Sequence, residues 1–181
     1  PARFFGKVTR AERWLMIGQV GNASPVGRDP VADRWPWVDD VLSDDLDRGP
    51  CRLVGKGAGR AATARAAALY NGTAAHAAEL DDSFRDAMVH PGAATIAAAL
   101  ALAQATAAAG PDFLRAVVAG YEVSTRIGIV LGRPHYRFWH NTGTVGSFGA
   151  AAAAACLLKL DATATAHALA ITATFTAGLQ Q

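Results

Sequence analysis

The sequence predicts an all-α domain of closely packed helices, and three observations carry that prediction. Alanine, the best helix former, dominates every segment after Gly49. Glycine, proline and N-capping residues punctuate those segments at helix-length intervals. No run of strand length alternates β-branched with polar residues. The same alanines let helix axes approach one another closely.

Residues 1–48 differ in composition and hold three of the four tryptophans (Trp14, Trp35, Trp37) and an acidic stretch from Asp39 to Asp47. Helices are expected at 11–20 and 31–46, separated by Gly21, Pro25, Gly27 and Pro30, with Pro36 inside the second. Residues 49–181 form the main helical unit. It opens with a short irregular or hairpin segment at 51–59, followed by helices broken at Asn71-Gly72. The next helix spans about 92–109. Another runs from Pro111, a favoured first-turn residue, to Leu131, where Gly132 and Pro134 stop it. Leu114, Val117, Val118, Tyr121 and Leu131 are read as its core-facing side. A helix over 142–159 and a last one, N-capped by Asp161 and running toward 177, complete the set.

A chain of 181 residues is long enough for one domain with a core and too short for two ordinary ones. Hydrophobic residues make up 51% and charged residues 18%, and the mean hydropathy is +0.16, so the surface is poor in charge and is expected to bury area against a partner. The net charge of +2, carried by scattered basic residues, excludes nucleic acid as the main partner. Cys51 and Cys156 lie far apart without metal-ligand or disulfide-framework spacing, which fits a reducing cytoplasm. The longest apolar runs, 93–109 and 149–158, are too short and too weakly hydrophobic for a bilayer, and residues 1–10 hold no signal-peptide core. No membrane association is expected, and the location is read as cytoplasmic.

Two stretches concentrate the chemistry. NGTAAHAAELDDSFRDAMVHPGA, residues 71–93, crowds four carboxylates, two histidines and an arginine into a nearly chargeless half, and RPHYRFWHNTGTVGSFG, residues 133–149, brings His135 and His140 among aromatics, arginines and glycines. Together they point to one shared pocket. The acids Glu79, Asp81 and Asp82 end the helix that carries His76, and His90-Pro91-Gly92 opens the next, so the intervening turn is a natural cleft rim. A carboxylate facing an imidazole there could divide proton abstraction and donation; the alternative is a solvated loop with His90 as a capping residue. His140 sits before a helix start with Arg137 nearby, and helix N-terminal N–H groups beside an arginine suit a carboxylate or phosphate. Gly143, Gly146 and Gly149 are read as sites of close helix contact. GKGAG, residues 55–59, lacks the Lys-Ser/Thr ending of a phosphate loop and reads as a surface turn. His76 with Glu79 reads as a helix-surface hydrogen-bonded pair rather than a metal site, and His167 as a core or interface histidine.

These residues resemble the MmgE/PrpD family, which includes 2-methylcitrate dehydratase, cis-aconitate decarboxylase and iminodisuccinate epimerase. The resemblance covers about residues 49–181 through NGTAAHAAELDD, HPGAATIAAALALA, AVVAGYEVSTRIG, HNTGTVGSFGAAAAAA and LLKLDATATAHALAI in family order, while residues 1–48 match only vaguely. It implies a large all-helical domain with a smaller α/β lid, homodimers, and elimination, decarboxylation or epimerisation of small polycarboxylates with no metal or organic cofactor. It also implies that Glu79, Ser83, His90 and His140 line the pocket. The chain departs from the family pattern in having Glu79 where Asp is common and Ser83 where Thr is common. The family's essential lysines and lid tyrosine lie downstream of Gly178-Leu179-Gln180, and Lys7, Lys56 and Lys159 occupy none of those positions.

The resulting expectation is the N-terminal part of a cytoplasmic, homodimeric lyase of the 2-methylcitrate dehydratase type, inactive alone and lacking the lid. His90, His140 and Glu79 are the expected catalytic residues, Ser83, Asp82 and Arg137 the substrate-binding ones, and neither a metal nor a cofactor is expected. Epimerase and decarboxylase remain open, as does a non-catalytic, self-associating helical remnant.

Overall fold

The computed structural model describes residues 44–54, 61–77 and 80–179. The expected helix at 11–20, most of that at 31–46, and the GKGAG turn lie outside the described residues. Among the described residues the architecture is helical with one small two-stranded sheet. In chain order the elements are β1 (Leu46–Arg52), β2 (Ala61–Ala62), α1 (Ala64–His76), a 3-10 turn (Arg85–Ala87), α2 (Pro91–Ala105), α3 (Gly110–Tyr136), α4 (Asn141–Leu157) and α5 (Ala162–Ala173). The β strands pair antiparallel, with Cys51 opposite Ala62 and Arg52 opposite Ala61. They cap one end of α1 and α2, where the buried Cys51 thiol donates to the Ala101 carbonyl at 3.1 Å.

α1 runs unbroken through Asn71-Gly72, contrary to the expected break. Turn-forming dipeptides mark turns only where their side chains have nothing better to do, and here both residues are used by neighbours. The Asn71 amide accepts from the Val54 N–H at 2.8 Å and donates to the Arg52 carbonyl at 3.1 Å, which satisfies backbone groups at the end of β1. A Cβ at Gly72 would lie 3.2 Å from the Ala93 carbonyl, so the glycine permits the α1–α2 approach.

The buried stripe of α3 also differs from expectation. It consists of Ala116, Gly120, Ser124 and Gly128, all small, whereas Leu114 and Val118 are 62% and 68% exposed. Close packing selects these small residues. A Cβ at Gly120 would stand 2.6 Å from the Gly149 carbonyl of α4 and would also collide with the Thr95 methyl of α2. Three helices thus meet at one point. α3 does break at Gly132, which adopts φ 59° and ψ −163°, but helical geometry resumes through Pro134 to Tyr136. α2 ends at Ala105 rather than near 109, and α5 at Ala173 rather than near 177. His167 is exposed on α5, so within this chain it is not a core residue. No helix among the described residues is long and apolar enough to cross a membrane.

Gly120→Ala is expected to destabilise the protein by about 1–3 kcal/mol through overpacking. Gly110→Ala, where an added Cβ meets nothing within 4 Å, should be nearly neutral. Denaturant titration of both variants checks this, and equal midpoints would contradict the three-helix contact.

Candidate active site

The site forms where α2 and α4 begin. His90 is the N-cap position of α2, and its backbone N–H donates to Thr142 Oγ1 in the first turn of α4 at 3.0 Å. The Asn141 amide, fully buried, donates to the Ala87 carbonyl at 2.7 Å and ties the start of α4 to the 3-10 turn. His140 N-caps α4, and its backbone N–H donates to the Gly178 carbonyl at 2.7 Å. Two helix N-termini therefore open side by side, a setting that favours anions.

His76, at the end of α1, enters this junction from below with its side chain only 4% exposed. Its Nδ1 lies 2.9 Å from Asp81 Oδ2, and His90 Nδ1 lies 3.5 Å from the other oxygen of the same carboxylate. The His76 and His90 rings are 5.1 Å apart between centroids, and the His76 and His140 rings 6.4 Å. The two histidine-bearing stretches of the sequence meet here. Burial would raise the Asp81 carboxyl, but the hydrogen bond from His76 and the positive character of His76 and His90 outweigh it and hold the group below its ordinary 3.8.

Hydrogen-bond partners fix the neutral tautomers, since a carbonyl only accepts and a backbone N–H only donates. His90 Nδ1 faces the Asp82 carbonyl at 3.0 Å, so Nδ1 carries the proton and Nε2 the lone pair. His140 Nδ1 accepts from the Gly143 N–H at 3.3 Å, so its Nε2 carries the proton. The two rings present opposite faces of imidazole chemistry.

Asp82 braces the start of α2. Its Oδ1 accepts from the Gly92 N–H at 3.1 Å, and the Tyr121 hydroxyl from α3 donates to the same carboxylate. Burial first, then the charge and hydrogen bond of Asp82, with Asp81 adding, push the Tyr121 phenol well above its ordinary 10.0, so it stays a hydrogen-bond donor. A Cβ at Gly92 would run into Asp82 and come within 2.7 Å of the Tyr121 oxygen, so a side chain there would displace both from their hydrogen bond. His135 donates to or accepts from Thr144 Oγ1 at 3.1 Å and stacks on Trp139, and burial lowers its pKa.

Of the residues singled out in the sequence, His90, His140 and Asp82 come together at the junction. Glu79 lies outside the described residues. Ser83 is exposed on the turn, and Arg137 is exposed with its guanidinium 5.4 Å from the Phe138 ring centroid; neither joins the histidine cluster through the hydrogen bonds described. His76 was read as a surface histidine and is instead buried in the centre of the cluster. Asp81, five residues on, was its signal, because a helix-ending histidine and a following acid can meet across the turn.

His76, Asp81 and His90 each offer one ligand atom within 4.8 Å of the others, the one such triplet among the described residues. A cation there would have to displace the His76–Asp81 hydrogen bond.

With this fold and junction, the chain belongs to the MmgE/PrpD family, whose N-terminal domain matches residues 37–181. Among its relatives, the cis-aconitate decarboxylase-like protein oryM of Aspergillus oryzae is 32% identical over 161 residues, which cover 82% of this chain and 33% of that protein. The cis-aconitate decarboxylase of Aspergillus terreus is 28% identical over 159 residues, 82% of this chain and 32% of that enzyme. The chain spans about a third of the length of these relatives.

The lowered pKa of Asp81 makes a stability prediction with a definite sign. A carboxylate whose folded pKa is depressed stabilises fully above its unfolded value, here 3.8, and that contribution is lost as pH falls below it through the folded value. We expect Asp81→Asn to lower stability at neutral pH and to flatten the acid limb of a stability-versus-pH curve; an unchanged acid limb would contradict the pairing with His76 and His90.

Proposed function

We propose that this chain is the N-terminal helical part of a lyase acting on a small polycarboxylate, of the 2-methylcitrate dehydratase type. The observation that carries the reading is the meeting of His90 and His140, in opposite tautomers, with the His76–Asp81 pair at two helix N-termini. His90 Nε2, with its lone pair, removes the proton from the carbon next to a substrate carboxylate. The electron pair left behind is held on the adjacent carboxylate as an enediolate, and it then forms the double bond as the C–O bond on the neighbouring carbon breaks. His140 Nε2–H supplies the proton that lets the hydroxyl leave as water. Asp81 supports the positive charge that grows on His90 as it takes the proton, and the helix N-termini hold substrate carboxylates. Glu79 and Ser83, with Arg137, remain proposed pocket residues by resemblance.

No metal or organic cofactor enters this reading, as the family resemblance implies. The negative charge of the enediolate-like intermediate needs cations, which the family resemblance places downstream of residue 180, so the isolated 181-residue chain is proposed to be inactive. The working protein is proposed to be a cytoplasmic homodimer. The names of the relatives favour decarboxylation as the second reading; release of carbon dioxide instead of water from the substrate would decide for it.

In the full-length protein, His90→Ala and His140→Ala are each expected to lower turnover about 100-fold or more. Their exchange behaviour should differ: His140→Ala should retain exchange of the substrate α-proton with deuterium from solvent, and His90→Ala should lose it. The reverse pattern would swap the two roles, and near-wild-type turnover in both would sink the catalytic reading. Exhaustive chelation should leave turnover unchanged; activity lost to a chelator and restored by zinc would show that the His76–Asp81–His90 triplet holds a metal.

A further inference from the structure

Beside the histidine cluster lies a cavity of about 240 Å³ between α2, α4 and the end of α5. Its walls are mostly methyl groups, with Ala94 and Ala98 of α2 and Ala150, Ala151 and Ala154 of α4 lining it together with Phe175. His76 is the one titratable residue among the described lining residues, and with Thr142 and Gly143 it marks the end of the cavity that meets the catalytic junction. A carboxylate placed deep in this space would lose its hydration and find no cation there, a large cost. A hydrocarbon would gain by leaving water. Apolar cavities of about 150 Å³ take up benzene, so this one has room for a chain of roughly six carbons or slightly more.

Resting on the acid–base reading of the junction, we propose that the substrate is a polycarboxylate bearing an alkyl tail, its carboxylates held at the starts of α2 and α4 and its tail lying in the alanine-walled cavity. The geometry separates the two ends of such a molecule. The polar head meets His90, His140 and two helix N-termini, whereas the tail passes His76 into a space that offers only methyl groups, Ser147, Thr172 and a phenyl ring. Small alanine side chains on α2 and α4 keep the space open, so specificity for tail length resides in positions that touch no reacting atom.

The test is calorimetric binding of succinate and of 2-alkylsuccinates with tails of one to eight carbons to the full-length protein. Each methylene is expected to tighten binding about fourfold, levelling off near six carbons. Ala151→Phe, or Ala98→Leu from the opposite wall should the first fail to fold, is expected to remove the dependence on tail length while succinate binds as before. Equal binding along the series, or none, overturns the proposal, as does a length dependence untouched in both folded variants. The outcome is separable from the catalytic reading: a flat series with turnover that still requires His140 removes the tail pocket alone, whereas a steep series with turnover indifferent to His90 and His140 removes the catalytic roles alone.

Discussion

The contact on which the rest depends is the crossing of α2, α3 and α4 at Thr95, Gly120 and Gly149. There the Thr95 side chain lies against two glycines, and a Cβ added at either Gly120 or Gly149 would collide with it. Alanine-rich cores follow from that closeness. With axes so near, the buried face of each helix has to be small, and alanine loses no side-chain entropy on burial. The cost is a core with few large side chains; among the described residues Tyr70, Val89 and Val145 are the bulkiest fully buried apolar ones. The gain is rigidity of backbone placement, which a site assembled from helix starts requires.

That rigidity explains how the junction is made. His90 and His140 belong to segments fifty residues apart, yet each is the cap of a helix whose neighbour is fixed by the crossing. Thr142 binding the His90 N–H and Asn141 binding the Ala87 carbonyl then lock the two starts together. Asp81 supplies the charge around which the imidazoles gather, and Asp82, braced by Gly92 and Tyr121, keeps the turn from collapsing into it.

Much of this was legible in the residues. Composition and punctuation predicted the helical class and the four helices α2 to α5, because alanine propensity and N-caps such as Asp161 act locally. The pairing of the two histidine-rich stretches was legible too, since polar groups in an apolar chain need one another. Long-range information was not legible. The expected break at Asn71-Gly72 failed because the Asn71 amide serves Val54 and Arg52, 17 and 19 residues earlier in the chain, partners met only after folding. The large residues of α3 suggested an apolar face, but a face for close packing is written in Ala116, Gly120, Ser124 and Gly128, which hydrophobicity ranks low. His76 was underrated for a similar reason: its importance lies in its meeting with Asp81, and burial is a property of the fold.

One feature near the end of the described chain ties shape to chemistry in a mechanical way. Gly178, at φ 137° in a conformation other residues resist, accepts the backbone N–H of His140, and the next residue, Leu179, bridges to Trp139. The segment leaving α5 is thereby tied to the residue that caps α4. The start of α4 is thus held from both directions along the chain, by the 3-10 turn before it through Asn141 and by the segment after α5 through Gly178, and the backbone from which the His140 ring extends is fixed between them.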